Sequence, residues 1–114
     1  MMHDRFARTS LRAARSWLTP RLHDVPDSLR ALMRAAITGD THGDRTVSHA
    51  LLSAALGCFD KALALGNVRT AAAHLLAADA LLTAACEAAA EEDNAVAFAD
   101  LACSALAERL KGQV

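Results

Sequence analysis

A chain of 114 residues is the length of one domain and buries roughly two-thirds of its unfolded surface, enough for one core without cross-links or metal. The hydrophobic fraction is 54%, aromatics make up only 4%, and alanine supplies about a quarter of the chain, which excludes a polar disordered segment and predicts a core of small side chains. The net charge of −1 is uneven: residues 1–45 carry eight Arg against five Asp, and residues 46–114 carry four Lys or Arg against eight acidic residues, a split that suits contact between the two halves, within one chain or between chains.

The first segment, "MMHDRFARTSLRAARSWLTP", reads as an amphipathic helix over residues 3–18, stopped by Pro20. Arg5, Arg8, Arg12 and Arg15 recur at 3-4-3 spacing and form one stripe, with Phe6, Ala13, Ala14 and Trp17 on the opposite side. Such a helix fits a targeting presequence, a helix lying on an anionic membrane or nucleic acid, or a bundle helix with a solvated arginine face. The last is the expected reading, with the arginine stripe as a candidate contact surface. Because only this helix is basic, nucleic acid is not the expected partner, and membrane contact is confined to residues 3–18. No apolar run reaches the ~18 residues of a spanning helix without polar interruption, and no secretory cleavage signature follows, so a cytoplasmic location is expected.

The second segment predicts a short helix over residues 26–38. Pro26 suits its first position, Asp24 and Asp27 sit near its positive end, and Gly39 is placed as a cap. Leu29, Leu32, Met33, Ala36 and Ile37 follow helical apolar spacing. The polar turn "GDTHGDR" then places Asp40, His42 and Asp44 in alternation, with His49 about one helical turn further on. Oxygen and nitrogen groups at this spacing form a candidate divalent-metal site; the plainer expectation is a turn in which Asp44 caps the next helix.

The third helix is predicted over residues 46–65, with Val47, Leu51, Leu52, Ala55, Cys58, Phe59, Ala62 and Leu63 as its apolar face. Leu56 lies off that face, beside His49, Ser53 and Asp60. Gly66 and Asn67 leave so short a connection that the fourth helix, residues 68–91, must return antiparallel. The "EEDN" run breaks that helix, Asp93 or Asn94 starts the fifth, and the fifth spans residues 95–111. On the fifth, Val96, Ala99, Cys103, Leu106 and Leu110 form the expected core stripe, leaving Phe98 and Leu101 as an outlying apolar contact surface. The third and fourth helices superficially resemble a tetratricopeptide hairpin, but the Trp, Gly and Tyr positions of that repeat are absent.

The three cysteines, Cys58, Cys86 and Cys103, stand singly in apolar helical patterns and are expected to be small buried hydrophobes. His74 is isolated in "NVRTAAAHLLAADALL" and falls on the wheel with Ala71, Ala78, Leu81, Leu82, Ala85 and Ala89, opposite Arg69, Asp79, Thr83 and Glu87. It is the residue to inspect first, and is expected to be a neutral core histidine bonded to Thr70 or a backbone carbonyl.

Several family motifs fail at specific neighbours. "AAHLLAADAL" shares only Ala73-His74 with the A-H-x-L-K-G motif of histidine phosphotransfer domains. Arg69 and His74 fit the R-x4-6-H spacing of HEPN-type ribonucleases, with Thr70 where a polar residue is usual. "LLAADALLTAACEAAAEE" is similar to one helix of trans-prenyl diphosphate synthases, yet the DDxxD pairs that hold metal and diphosphate in that family are missing, which excludes that activity. His23-Asp24 lacks the further His and Asp of an HD phosphohydrolase, and no E-x-x-H, G-x-S-x-G or phosphate-binding glycine loop occurs.

The sequence therefore predicts one all-α domain, an antiparallel bundle of four to five helices. It is expected to be non-enzymatic, to need no cofactor, and to act through protein contacts as a homodimer or with another protein. Its apolar surplus and its off-face apolar residues motivate that expectation. The alternatives are a metal- or small-ligand-binding module at His74 or the Asp40–His49 loop, and a HEPN-type RNase centred on Arg69 and His74.

Overall fold

The computed structural model describes residues 12–37 and 46–112. The described residues form five helices and no strand, an all-α bundle. Helix α1 covers residues 12–18 and continues into a 3-10 turn, Thr19–Leu22. Then come α2, Asp27–Ala36; α3, Val47–Ala64; α4, Val68–Glu91; and α5, Ala95–Lys111. Residues 3–11 of the expected first helix, including Arg5, Arg8 and Phe6, lie outside the described residues, as do Gly39, Asp40, His42 and Asp44.

The centre of the molecule is the α3–α4 hairpin. Ala50, Leu51, Ala54, Ala55 and Cys58 are buried on α3, and Ala77, Ala78, Leu81, Ala84, Ala85, Ala88 and Ala89 on α4. Small side chains along both contact faces let two helix axes approach closely, so the alanine surplus is spent at this seam. Asn67 starts α4 as expected, its side-chain oxygen accepting from the amides of Arg69 at 2.9 Å and Thr70 at 3.3 Å.

One side of the hairpin is covered by the N-terminal elements. Ala14, Leu18, Leu22, Met33 and Ile37 are buried, with Trp17, Leu29, Leu32 and Ala36 packed partly against them. The apolar pattern read for the second helix is therefore the face it buries. Charge ties this layer down: Trp17 Nε1 donates to Glu91 Oε2 at 2.6 Å, and the Arg21 guanidinium lies 3.5 Å over the Trp17 ring, 3.6 Å from Glu91 and 3.9 Å from Glu87. The basic N-terminal half thus meets the acidic C-terminal half within one chain.

The other side is covered by α5 alone. The ring of His49 meets that of Phe98 edge-on at 6.1 Å, and Arg109 Nε donates to Asp60 Oδ1 at 2.8 Å. Both contacts advance in the same direction along the two helices, so α5 runs parallel to α3.

The face that α5 turns inward differs from the expected one. Phe98 is 1% exposed and Ala102 is buried, whereas Val96 is 79% and Leu110 53% exposed; Ala99 and Cys103 are exposed too and Leu106 is half-buried. In this rotation Phe98, the single aromatic of α5, leaves water with Ala102, and the Arg109–Asp60 pair fixes the same rotation. Phe98 is therefore a core residue and not a contact-surface residue. Leu101 remains outside, 44% exposed.

By length and composition α4 is long and apolar enough to cross a membrane, with a third of its most apolar window buried inside the molecule.

Candidate functional site

Each candidate residue takes its environment from the element that carries it. His74 lies on the first half of α4, beyond the part of that helix crossed by the N-terminal layer, and is half-buried instead of buried in the core. Its Nδ1 lies 3.0 Å from the Thr70 carbonyl one turn earlier, the backbone partner expected of it, which makes Nδ1 the protonated nitrogen. Arg69, five residues earlier, is exposed at the start of α4. Five residues at ~100° each set the two side chains about 140° apart, and no hydrogen bond or ion pair joins them.

Of the Asp40, His42, Asp44 and His49 quartet, His49 is the described member. Its Nδ1 is 2.7 Å from the Thr46 hydroxyl, and Thr46 Oγ1 accepts from the His49 amide at 3.3 Å. Thr46, and not Asp44, is the N-cap of α3. Among the described residues no three His, Cys, Asp or Glu side chains gather as a metal centre would need.

The cysteines separate. Cys58 is buried against α4, and burial pushes its thiol pKa up, with Lys61 pulling weakly the other way. Cys86 and Cys103 are exposed, contrary to the expectation that all three are buried. Arg12 and Arg15 are exposed on α1, as the stripe predicts. Arg15 and Arg34 line a cleft of about 290 Å³ above Leu18, Leu22 and Ile37.

A feature that no motif announced is a concave apolar surface. Along the outer side of the hairpin an open groove of about 600 Å³ runs between α4 and α5. Its floor is Ala55, Leu56 and Phe59 of α3; Leu75, Leu76, Ala78 and Leu82 of α4 form one wall, and Leu106 of α5 the other. Asp79 is the one charged lining residue. Leu76 is 60% and Leu75 48% exposed at the rim. Leu56, read from the sequence as an off-face apolar residue, sits here. The sequence signal for the groove was the apolar content of α4 at Ala72, Leu75 and Leu76, on the flank of the face that packs against α3, where a polar flank is usual. Chemically the arrangement offers apolar burial beside a single carboxylate, Asp79.

No protein-family model matches this chain, and no curated protein or solved structure matches it either.

Proposed function

We propose that this is a non-enzymatic helical-bundle protein that acts through protein contacts, and that the surface it uses is the groove side of the molecule, where a second copy of the chain docks. One observation carries the reading: the floor and walls of the groove join an exposed apolar stripe on α5, giving one continuous apolar surface where three sides of a bundle stand and the fourth is open. Monomeric domains rarely leave a patch of that kind to water, since each exposed leucine forgoes about 2 kcal/mol of burial. A self-complementary surface on one chain is satisfied by a symmetric dimer.

Light scattering or sedimentation at micromolar concentration tests the reading. A mass of two chains is expected, falling to one chain on Leu76→Glu, which places a charge at the rim without disturbing the buried seam. A one-chain mass for the unaltered protein overturns it.

The groove also supports a second reading as a small-ligand site, because its volume lies within the ~300–1,000 Å³ of ligand pockets and Asp79 would receive a cationic head group on an apolar body. Long-chain alkylammonium ions should then raise the melting temperature, and an Asp79→Asn variant should lose that response. A melting temperature indifferent to such ions disposes of this reading.

A further inference from the structure

The stripe left outside on α5 has an internal order that specifies how a second copy would meet it. Val96, Ala99, Cys103, Leu106 and Leu110 follow 3-4-3-4 spacing, the seam spacing of paired helices. At ~100° per residue the seam is centred about 100° around α5 from the side that carries Phe98 and Ala102, so it does not compete with the contacts that hold α5 to α3.

Two pairs of exposed apolar positions also stand symmetrically about Cys103. Val96 and Leu110 stand seven residues to either side, and Ala99 and Ala107 stand four to either side. A two-fold axis through Cys103, with the helices antiparallel, sets Val96 against Leu110 and Ala99 against Ala107. Cys103 and the two alanines then lie near the crossing point, Leu106 at its groove-side edge, and Val96 and Leu110 where the axes diverge. Charge favours the same direction. The turn before α5 and its N-terminal half carry Asp93 and Asp100, and its C-terminal end carries Lys111, 3.9 Å from Glu108 of the same helix. Antiparallel pairing brings Lys111 of one copy to the acidic turn of the other and opposes the helix dipoles, whereas parallel pairing stacks Asp100 on its own image.

We propose that two copies of this chain pair α5 against α5, antiparallel, about a two-fold axis at Cys103. This rests on the self-association reading above and specifies its geometry. Stable interfaces bury about 800 Å² per partner, more than a strip about 25 Å long and 10 Å wide supplies. Leu106 belongs to both the seam and the groove wall, so the partner helix also lies along the open groove and covers part of its rim.

Cysteine cross-linking with a short bismaleimide tests the geometry. In a Cys86→Ser chain, where Cys58 stays buried, Cys103 should link two copies into a covalent dimer. In a chain carrying Cys86→Ser and Cys103→Ser, the single changes Val96→Cys and Leu110→Cys should each give no dimer, and the two together should give one. Within one helix those positions are ~21 Å apart, too far for the reagent. All of these positions are exposed, and unchanged helical circular dichroism establishes that the variants fold. A dimer from Val96→Cys alone overturns the antiparallel direction. Absence of the Cys103 link in protein whose light-scattering mass is two chains overturns the α5 seam while leaving self-association intact. A one-chain mass overturns both.

Discussion

Glu92, the residue that caps the C-terminus of α4, holds the start of α3 through Ser48. The Ser48 hydroxyl donates to Glu92 Oε1 at 2.6 Å, and the Ser48 amide donates to Oε2 at 3.2 Å. Ser48 is fully buried, so the carboxylate satisfies both a buried hydroxyl and one of the free amides that open a helix. It also places negative charge at the positive end of the α3 dipole. Removing the carboxylate with Glu92→Ala should cost about 2 kcal/mol in urea unfolding, the range of hydrogen bonds to charged groups. Ser48→Ala should cost about 1 kcal/mol, and the double variant less than the sum because the two residues form one interaction.

The turn that delivers Glu92 depends on Asp93. Among the described residues it is the one non-glycine residue with positive φ, at 56°, and it closes α4 with two backbone bonds, Asp93 N to Ala90 O at 3.2 Å and Asn94 N to Ala89 O at 2.9 Å. This is the Schellman arrangement with aspartate where glycine is usual. Asp93→Gly should raise stability or leave it unchanged, and Asp93→Val should lower it by about 1–2 kcal/mol, because a β-branched side chain is strained in the left-handed region. Thermal unfolding of the two variants reads both signs.

Phe98 anchors α5. Truncation to alanine should cost about 3–5 kcal/mol, as for other buried aromatic residues. The loss should be concentrated in α5, whose side-chain hydrogen bond to α3 is the Arg109–Asp60 pair. Amide exchange is expected to accelerate in residues 95–111 before it does in the α3–α4 hairpin. Uniform acceleration across all helices would contradict this.

The thiols should react unequally. With Ellman's reagent at mildly alkaline pH, Cys86 should react rapidly, Cys103 only as fast as the proposed α5 seam opens, and Cys58 only as fast as the fold opens. Because burial holds the Cys58 thiol pKa above its ordinary value, the native state retains a proton that the unfolded chain gives up. The associated stability is full below the unfolded thiol pKa and declines as pH rises through it toward the folded value. Cys58→Ala should flatten that alkaline decline.

His74→Leu should change unfolding free energy by less than about 1 kcal/mol, since the only bond lost is one within its own helix and the site is half-open to water. Self-association should persist in this variant. Loss of the dimer on this substitution would move the contact surface onto the His74 side of α4.

Much of the architecture was legible in the sequence because short-range chemistry sets it. Helical apolar spacing, the Asn67 cap and the brief Gly66 connection fix four of the helices and the antiparallel hairpin within a residue or two. Alanine density along the fourth helix likewise announced a close helix–helix seam. The rotation of α5 was not legible. On that helix an apolar stripe at Val96, Ala99, Cys103, Leu106 and Leu110 competes with Phe98 and Ala102, and both satisfy helical spacing. Only contacts from distant residues, Phe98 with His49 and Arg109 with Asp60, decide which side turns inward. The same holds for His74, whose apolar neighbours on the wheel place it on a face but do not say whether anything covers that face. Local sequence thus determined which residues are helical and where each helix starts and stops. The tertiary structure alone decided which apolar face was left over, because burial is a property of what packs from elsewhere in the chain. That leftover face, the groove of α3 and α4 with the outer seam of α5, is where the proposed function resides.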